Sequence, residues 1–129
     1  LKPFLAISAN SRLKQETLRV LINILNNGNQ HQIGYLLSHQ YLHKYVADIC
    51  ISDDDTNTIK FGVVYLFTAL KLINDKRIMA TNNVVIAFIH LLNLEKHKSN
   101  QILFAALRGL NAFYPSEPYG INNNNANNN

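Results

Sequence analysis

His39 and His43 stand four positions apart, the spacing that places two imidazoles on one helix face for a zinc ion. His31 and Asp48 are the nearest further donors. The pair straddles an expected helix junction at Gln40-Tyr41, however, and no His-Glu-x-x-His pattern accompanies it. Both are therefore read as surface histidines, and no metal or cofactor is expected. His90 follows Phe88-Ile89 and is expected half-buried or at a partner face. Cys50 is the only cysteine and sits in the apolar stretch Ala47-Asp48-Ile49-Cys50-Ile51, the setting of a buried structural thiol.

No other chemistry assembles from residue types and spacing. There is no Gly-x-Ser-x-Gly elbow and no Cys/His arrangement for a nucleophile. Gly28, Gly34, Gly62, Gly109 and Gly120 are isolated, so no glycine-rich loop can cradle a phosphate. Acid–base catalysis needs paired carboxylates in a pocket. Asp53-Asp54-Asp55 reads instead as a connector with solvated charges. Ser52 before those acids fits an acidophilic kinase's site, though so short a pattern arises often by chance. The expectation is a protein that is not an enzyme.

The elements that would position any site are helices. Leu13, Thr17, Leu18, Leu21, Ile24 and Leu25 form a helical stripe after a cap at Asn10-Ser11. Asn26-Asn27-Gly28-Asn29 closes it, residues that tolerate the left-handed conformation. A short helix is expected over 32–38 and a second over 41–51, with Leu42, Tyr45, Val46 and Ile49 on one face. Residues 56–73 are apolar nearly all round. Their β-branched and aromatic content makes a strand a rival there, but the length favours helix. Asn74-Asp75 stops it, a short segment 76–80 follows, then helices over 84–94 and from Ser99-Asn100 to Phe113.

Composition sets the class. The 129 residues, 47% hydrophobic and 16% charged, suffice for one globular core. The chain starts at Leu1 rather than Met, so a piece of a longer protein is expected. Net charge is +4, but the basic residues are scattered, with Lys76-Arg77 and Lys96-His97-Lys98 the tightest runs. That argues against a nucleic-acid footprint, which needs clustering. A lone thiol suits a reducing compartment, cytoplasm or nucleus, and no apolar run reaches membrane-spanning length. Residues 1–115 are expected to form the helical segment. Pro115 and Pro118 break any helix, and 116–129, nearly all Asn at its end, is expected as a disordered tail or linker.

The helices recur. Leu21-Ile22-Asn23-Ile24 aligns with Leu66-Phe67-Thr68-Ala69 and with Leu107-Arg108-Gly109-Leu110, at offsets of 45 and then 41 positions. Leu42, Tyr45, Val46 and Ile49 match Val85, Phe88, Ile89 and Leu92 at an offset of 43. Units of this period stack, because one alone cannot cover its apolar face.

The run from Ser11 to Gly28 resembles the third helix of an armadillo repeat, with Asn23 at the helix Asn. Residues 29–40 and 41–51 resemble the short first and the second helix. The resemblance covers residues 13–113 and implies an all-α, right-handed α-solenoid of about two to two and a half armadillo or HEAT-like repeats. The remaining alternative is another small helical bundle. Gln40 and Asn83 stand where the family has Gly between its first two helices. Asn reaches positive φ more cheaply than Gln.

In this family the third helices line a groove for partner segments. The resemblance therefore implies a protein–protein interaction scaffold or adaptor in a larger complex. Members that read nuclear-localisation signals place Trp four residues before the helix Asn. Here Arg19 precedes Asn23 and the chain has no Trp, so that activity is not expected. The groove would be lined by Gln15, Arg19, Asn23, Lys60, Lys71, Gln101 and Arg108, a mildly basic trough for an acidic or polar segment or a folded partner. The alternatives are an ordinary solvated face on a purely structural solenoid segment, and a helical-repeat nucleic-acid binder.

Overall fold

The computed structural model describes residues 2–5, 10–93 and 99–113. The expected tail at 116–129, Pro115 before it and the Lys96-His97-Lys98 run lie outside the described residues. The described residues are all-α, and none of their helices is long and apolar enough to cross a membrane.

A short α1 (Lys2–Leu5) precedes α2 (Ser11–Asn27). The Asn10 side-chain oxygen accepts the N–H groups of Arg12 and Leu13 at 2.8 and 3.2 Å, satisfying donors a first turn leaves orphaned. Gly28 ends α2 with φ of −73°, so the expected left-handed closure is not used. Glycine is needed there for close approach, since a Cβ would stand 2.6 Å from the Ile24 carbonyl oxygen. The next helix, α3 (Gln30–Leu37), opens with a capping box. The Asn29 side chain accepts from the Gln32 N–H, and the Gln32 side chain accepts from the Asn29 N–H.

Then come α4 (Gln40–Ser52) and α5 (Thr56–Leu72), the latter capped by Asp55, whose carboxylate accepts the Thr58 N–H at 3.0 Å. The chain continues through α6 (Arg77–Thr81), α7 (Val84–Asn93) and α8 (Asn100–Phe113). Asn83, between α6 and α7, has φ of +68°, the left-handed turn its sequence predicts. Gln40 at the matching place is already helical, entered from His39 at φ −88°, so the two turns differ.

Helix α5 is the centre of the molecule. It packs on α2 at one side, on α8 at the other and on α4 behind. Helix α7 packs on α8 and α4, and α1 lies across α2 and α4. Two rows result, α2–α5–α8 and α1–α4–α7. Ile59, Val63, Tyr65 and Leu66 of α5 are fully buried, which explains why its sequence is apolar nearly all round. Each such side chain contributes about 1.5–3 kcal/mol of burial, enough to override β-propensity. Leu13, expected in the buried stripe of α2, is turned outward. Lys14 takes the inner place, on the same stripe as Leu18, Leu21 and Leu25.

Candidate functional site

The inner row presents a groove of about 780 Å³ across α2, α5 and α8. It brings together five of the seven residues expected from the sequence: Arg19 and Asn23 from α2, Lys60 from α5, and Gln101 and Arg108 from α8. Gln15 and Lys71 are not among its lining residues. The Gln15 amide donates to Asp55 Oδ1 at 3.3 Å and to Thr58 Oγ1 at 3.1 Å, fastening α2 to the start of α5. Lys71 Nζ sits 4.7 Å from the centroid of the Phe67 ring, a cation–π contact at an exposed helix end.

Sequence reasoning missed the apolar floor. Phe61, Val64 and Phe67 of α5 and Phe104 of α8 line the groove beside the polar residues. Phe104 is 61% exposed, and the Arg19 guanidinium carbon lies 5.8 Å from the Phe61 ring centroid. Phe61, Val64 and Phe67 at i, i+3 and i+6 on α5 were available as a signal, yet they read as core in a helix apolar on every side. Three cations and no carboxylate line the groove. Glu16, 3.9 Å from Arg19 on an exposed turn, is the acid nearest to it in the sequence and is not among the lining residues.

The packing of α5 on α4 and of α8 on α7 pairs other residues than the apolar spacing aligned. Gly62 and Tyr65 are the α5 residues against α4: a Cβ on Gly62 would meet Cys50 Sγ at 3.0 Å, and the Tyr65 hydroxyl bonds His43. On α8 the matching residue is Gly109, where a Cβ would fall 2.4 Å from the Phe88 ring of α7. Gly109 therefore corresponds to Tyr65, 44 positions earlier, and not to Thr68, which lines the groove. His43 then corresponds to Phe88, 45 positions on, rather than the offset of 43 read from apolar spacing. The older pairing set buried Val46 against exposed Ile89; the new one sets it against buried Leu91. In this register Arg19, Val64 and Arg108 occupy one level across the three helices, with a cation at each end.

Two expectations about ionisable groups are overturned. His43 is not a surface histidine: it is fully buried between α3 and α5. Its Nε2–H donates to the Leu37 carbonyl at 3.0 Å, and Nδ1 accepts the Tyr65 hydroxyl at 3.1 Å, which fixes the neutral tautomer. Burial lowers its pKa, the Leu37 bond offsets part of this, and the charge of His39 adds to the lowering. His39 is exposed, with Nδ1 2.8 Å from the Tyr35 carbonyl, so the two rings do not share a face. Among the described residues no three His, Cys, Asp or Glu side chains converge.

The acidic connector is not uniformly solvated either. Asp53 pairs with Lys14 at 2.6 Å, the side chains 8% and 5% exposed. Burial pushes its carboxyl up, but the Lys14 hydrogen bond, the Asp55 and Asp54 backbone and the Lys14 charge together hold it below the usual range. Cys50 is buried as expected, and its thiol is pushed up by burial and by Asp53, away from thiolate chemistry. His90 is half-buried.

No known family's sequence profile matches the chain, and no curated protein or solved structure matches it either.

Proposed function

We infer that this chain is an armadillo-type repeat scaffold, a right-handed α-solenoid segment of about two to two and a half repeats. Its groove along α2, α5 and α8 holds an acidic segment of a partner protein. The α4–α5 and α7–α8 pairs pack alike at spacings of 44 and 45 positions, which supports the repeat reading. The observation that carries the function is the gathering of Arg19, Lys60 and Arg108 in one trough that no carboxylate lines. Residues on a solvated face have no reason to converge across three helices.

The chemistry specifies the partner. Helix axes pack about 8–10 Å apart, so the α2 and α8 rows stand roughly 16–20 Å apart. An extended chain covers about 3.3 Å per residue. Acidic residues about five or six apart would reach Arg19 and Arg108, with an apolar side chain between them on Phe61, Phe67 and Phe104. Such binding needs no catalysis and no cofactor. Three cations are few for a nucleic-acid track, whose affinity rests on many phosphate contacts.

The test is affinity capture with the whole chain as bait, beside a variant carrying Arg19→Glu, Lys60→Glu and Arg108→Glu. A partner retained by the wild type and lost by the variant supports the groove. Equal capture by both removes it, and the chain is then read as a structural segment of a larger helical stack.

A further inference from the structure

Helix α8 delivers the chain to the rim of the groove. It ends at Phe113. In the register that sets Arg19, Val64 and Arg108 at one level, Ala112 is level with Thr68 and Asn23, which both line the groove. The chain thus leaves α8 beside the groove, with Arg108 about 6 Å back along the helix.

The sequence that follows has the charge the groove lacks. It reads Tyr114-Pro115-Ser116-Glu117-Pro118-Tyr119, outside the described residues, and no Lys or Arg occurs after Arg108. Glu117 is a carboxylate set between two aromatic residues, and the groove offers three cations beside an aromatic floor. Among the described residues Lys60 and Arg108 form no ion pair, and Arg19 pairs only loosely, with Glu16 at 3.9 Å.

The reach is sufficient. From Phe113 the four residues to Glu117 span up to about 13 Å, and the six to Tyr119 about 20 Å. Helix α5 lies about 8–10 Å across from α8. Each proline biases the residue before it towards extended backbone, so less freedom is lost on docking.

We propose that residues 114–119 are a built-in occupant of the groove. Glu117 meets Arg108, Tyr119 lies on the floor of Phe61, Phe67 and Phe104, and a partner's acidic segment binds by displacing them. This rests on reading the groove as a site for an acidic segment, and adds how that site is regulated. A short tether gives the segment an effective concentration of about a millimolar or more, so even a weak contact competes. Its single carboxylate keeps that contact weak, and a partner with two can win.

The test uses the full chain with benzoylphenylalanine in place of Tyr119. Irradiation and peptide mapping are expected to show an intramolecular adduct at Phe61, Phe67 or Phe104, its yield unchanged on dilution. Arg108→Glu and Glu117→Arg should each cut the yield several-fold. Combined, they should restore it, because the pair is then reversed; that restoration separates loss of the contact from loss of the fold. No adduct, an adduct elsewhere, or one indifferent to both reversals overturns the assignment. A yield that falls on dilution does so too, because the occupant is then a second copy's segment.

Affinity capture by Glu117→Arg reads the groove separately. Removing the competitor should raise partner capture roughly two-fold or more. Capture that stays at the wild-type level overturns the regulation. If capture remains sensitive to reversal of Arg19, Lys60 and Arg108 while the adduct is missing, this inference falls and the groove reading stands.

Discussion

Lys14 Nζ stands 2.6 Å from Asp53 Oδ2 with both side chains nearly closed to solvent, so one ion pair ties α2 to the connector between α4 and α5. Removing one partner strands the other charge in a low-dielectric site. Lys14→Met is expected to lower unfolding free energy by about 3 kcal/mol near neutral pH. The sign with pH follows from the depressed Asp53 carboxyl. Its stabilisation is complete above the unfolded value of about 4 and is lost as pH falls through the lower folded value. Urea unfolding of wild type and variant should therefore converge below about pH 4. A gap that stays constant into strong acid contradicts this.

His43 gives a second, separate pH signature. The fold holds it neutral, with a lowered pKa, so the unfolded chain takes up the proton first as pH drops. Wild-type stability should begin to fall below about pH 6.5 and keep falling until the folded value is passed. His43→Phe removes the titration and orphans the Tyr65 hydroxyl and the Leu37 carbonyl. At pH 8 it should cost about 1–3 kcal/mol. Between pH 7 and 5 its melting temperature should fall less than the wild type's; parallel curves would assign the slope to other groups.

Two glycines should respond oppositely to alanine. A Cβ on Gly109 would overlap the buried Phe88 ring, so Gly109→Ala should destabilise by about 1–3 kcal/mol. Gly34 on α3 has nothing within 4 Å of a Cβ, and Gly34→Ala should stabilise by about 0.5–1 kcal/mol through helix propensity. Chemical denaturation of both variants checks the pair, and a neutral Gly109→Ala would refute the close α7–α8 contact on which the corrected register stands.

Much of this was legible in the sequence, and the rest was hidden for physical reasons. Apolar spacing located the helices, Asn10 announced its cap, and Asn83 its positive φ, because these are local effects. Arg19, Asn23, Lys60, Gln101 and Arg108 could be brought to one face by period alone. Lys14 and His43 were misjudged by residue type, although Lys14 continues the stripe of Leu18, Leu21 and Leu25, and His43 adjoins Leu42 and Val46. Asp53 carried no such signal, since its partner lies 39 positions away. The α8 register slipped by three because apolar residues recur on two of its faces, Ile102, Ala105 and Ala106 on one and Leu103, Leu107 and Leu110 on the other, and only the Phe88–Gly109 contact separates them.

The central claim is that the groove is where a partner lies, and site-specific photo-crosslinking addresses it directly. Benzoylphenylalanine at Phe104 places a reactive ring in the groove, and the same residue at exposed Tyr41 places one on α4, among residues that do not line it. Irradiation with the captured partner should yield an adduct from position 104 that Arg19→Glu with Arg108→Glu suppresses, and none from position 41. An adduct from position 41 alone, or one from 104 indifferent to charge reversal, would contradict the account.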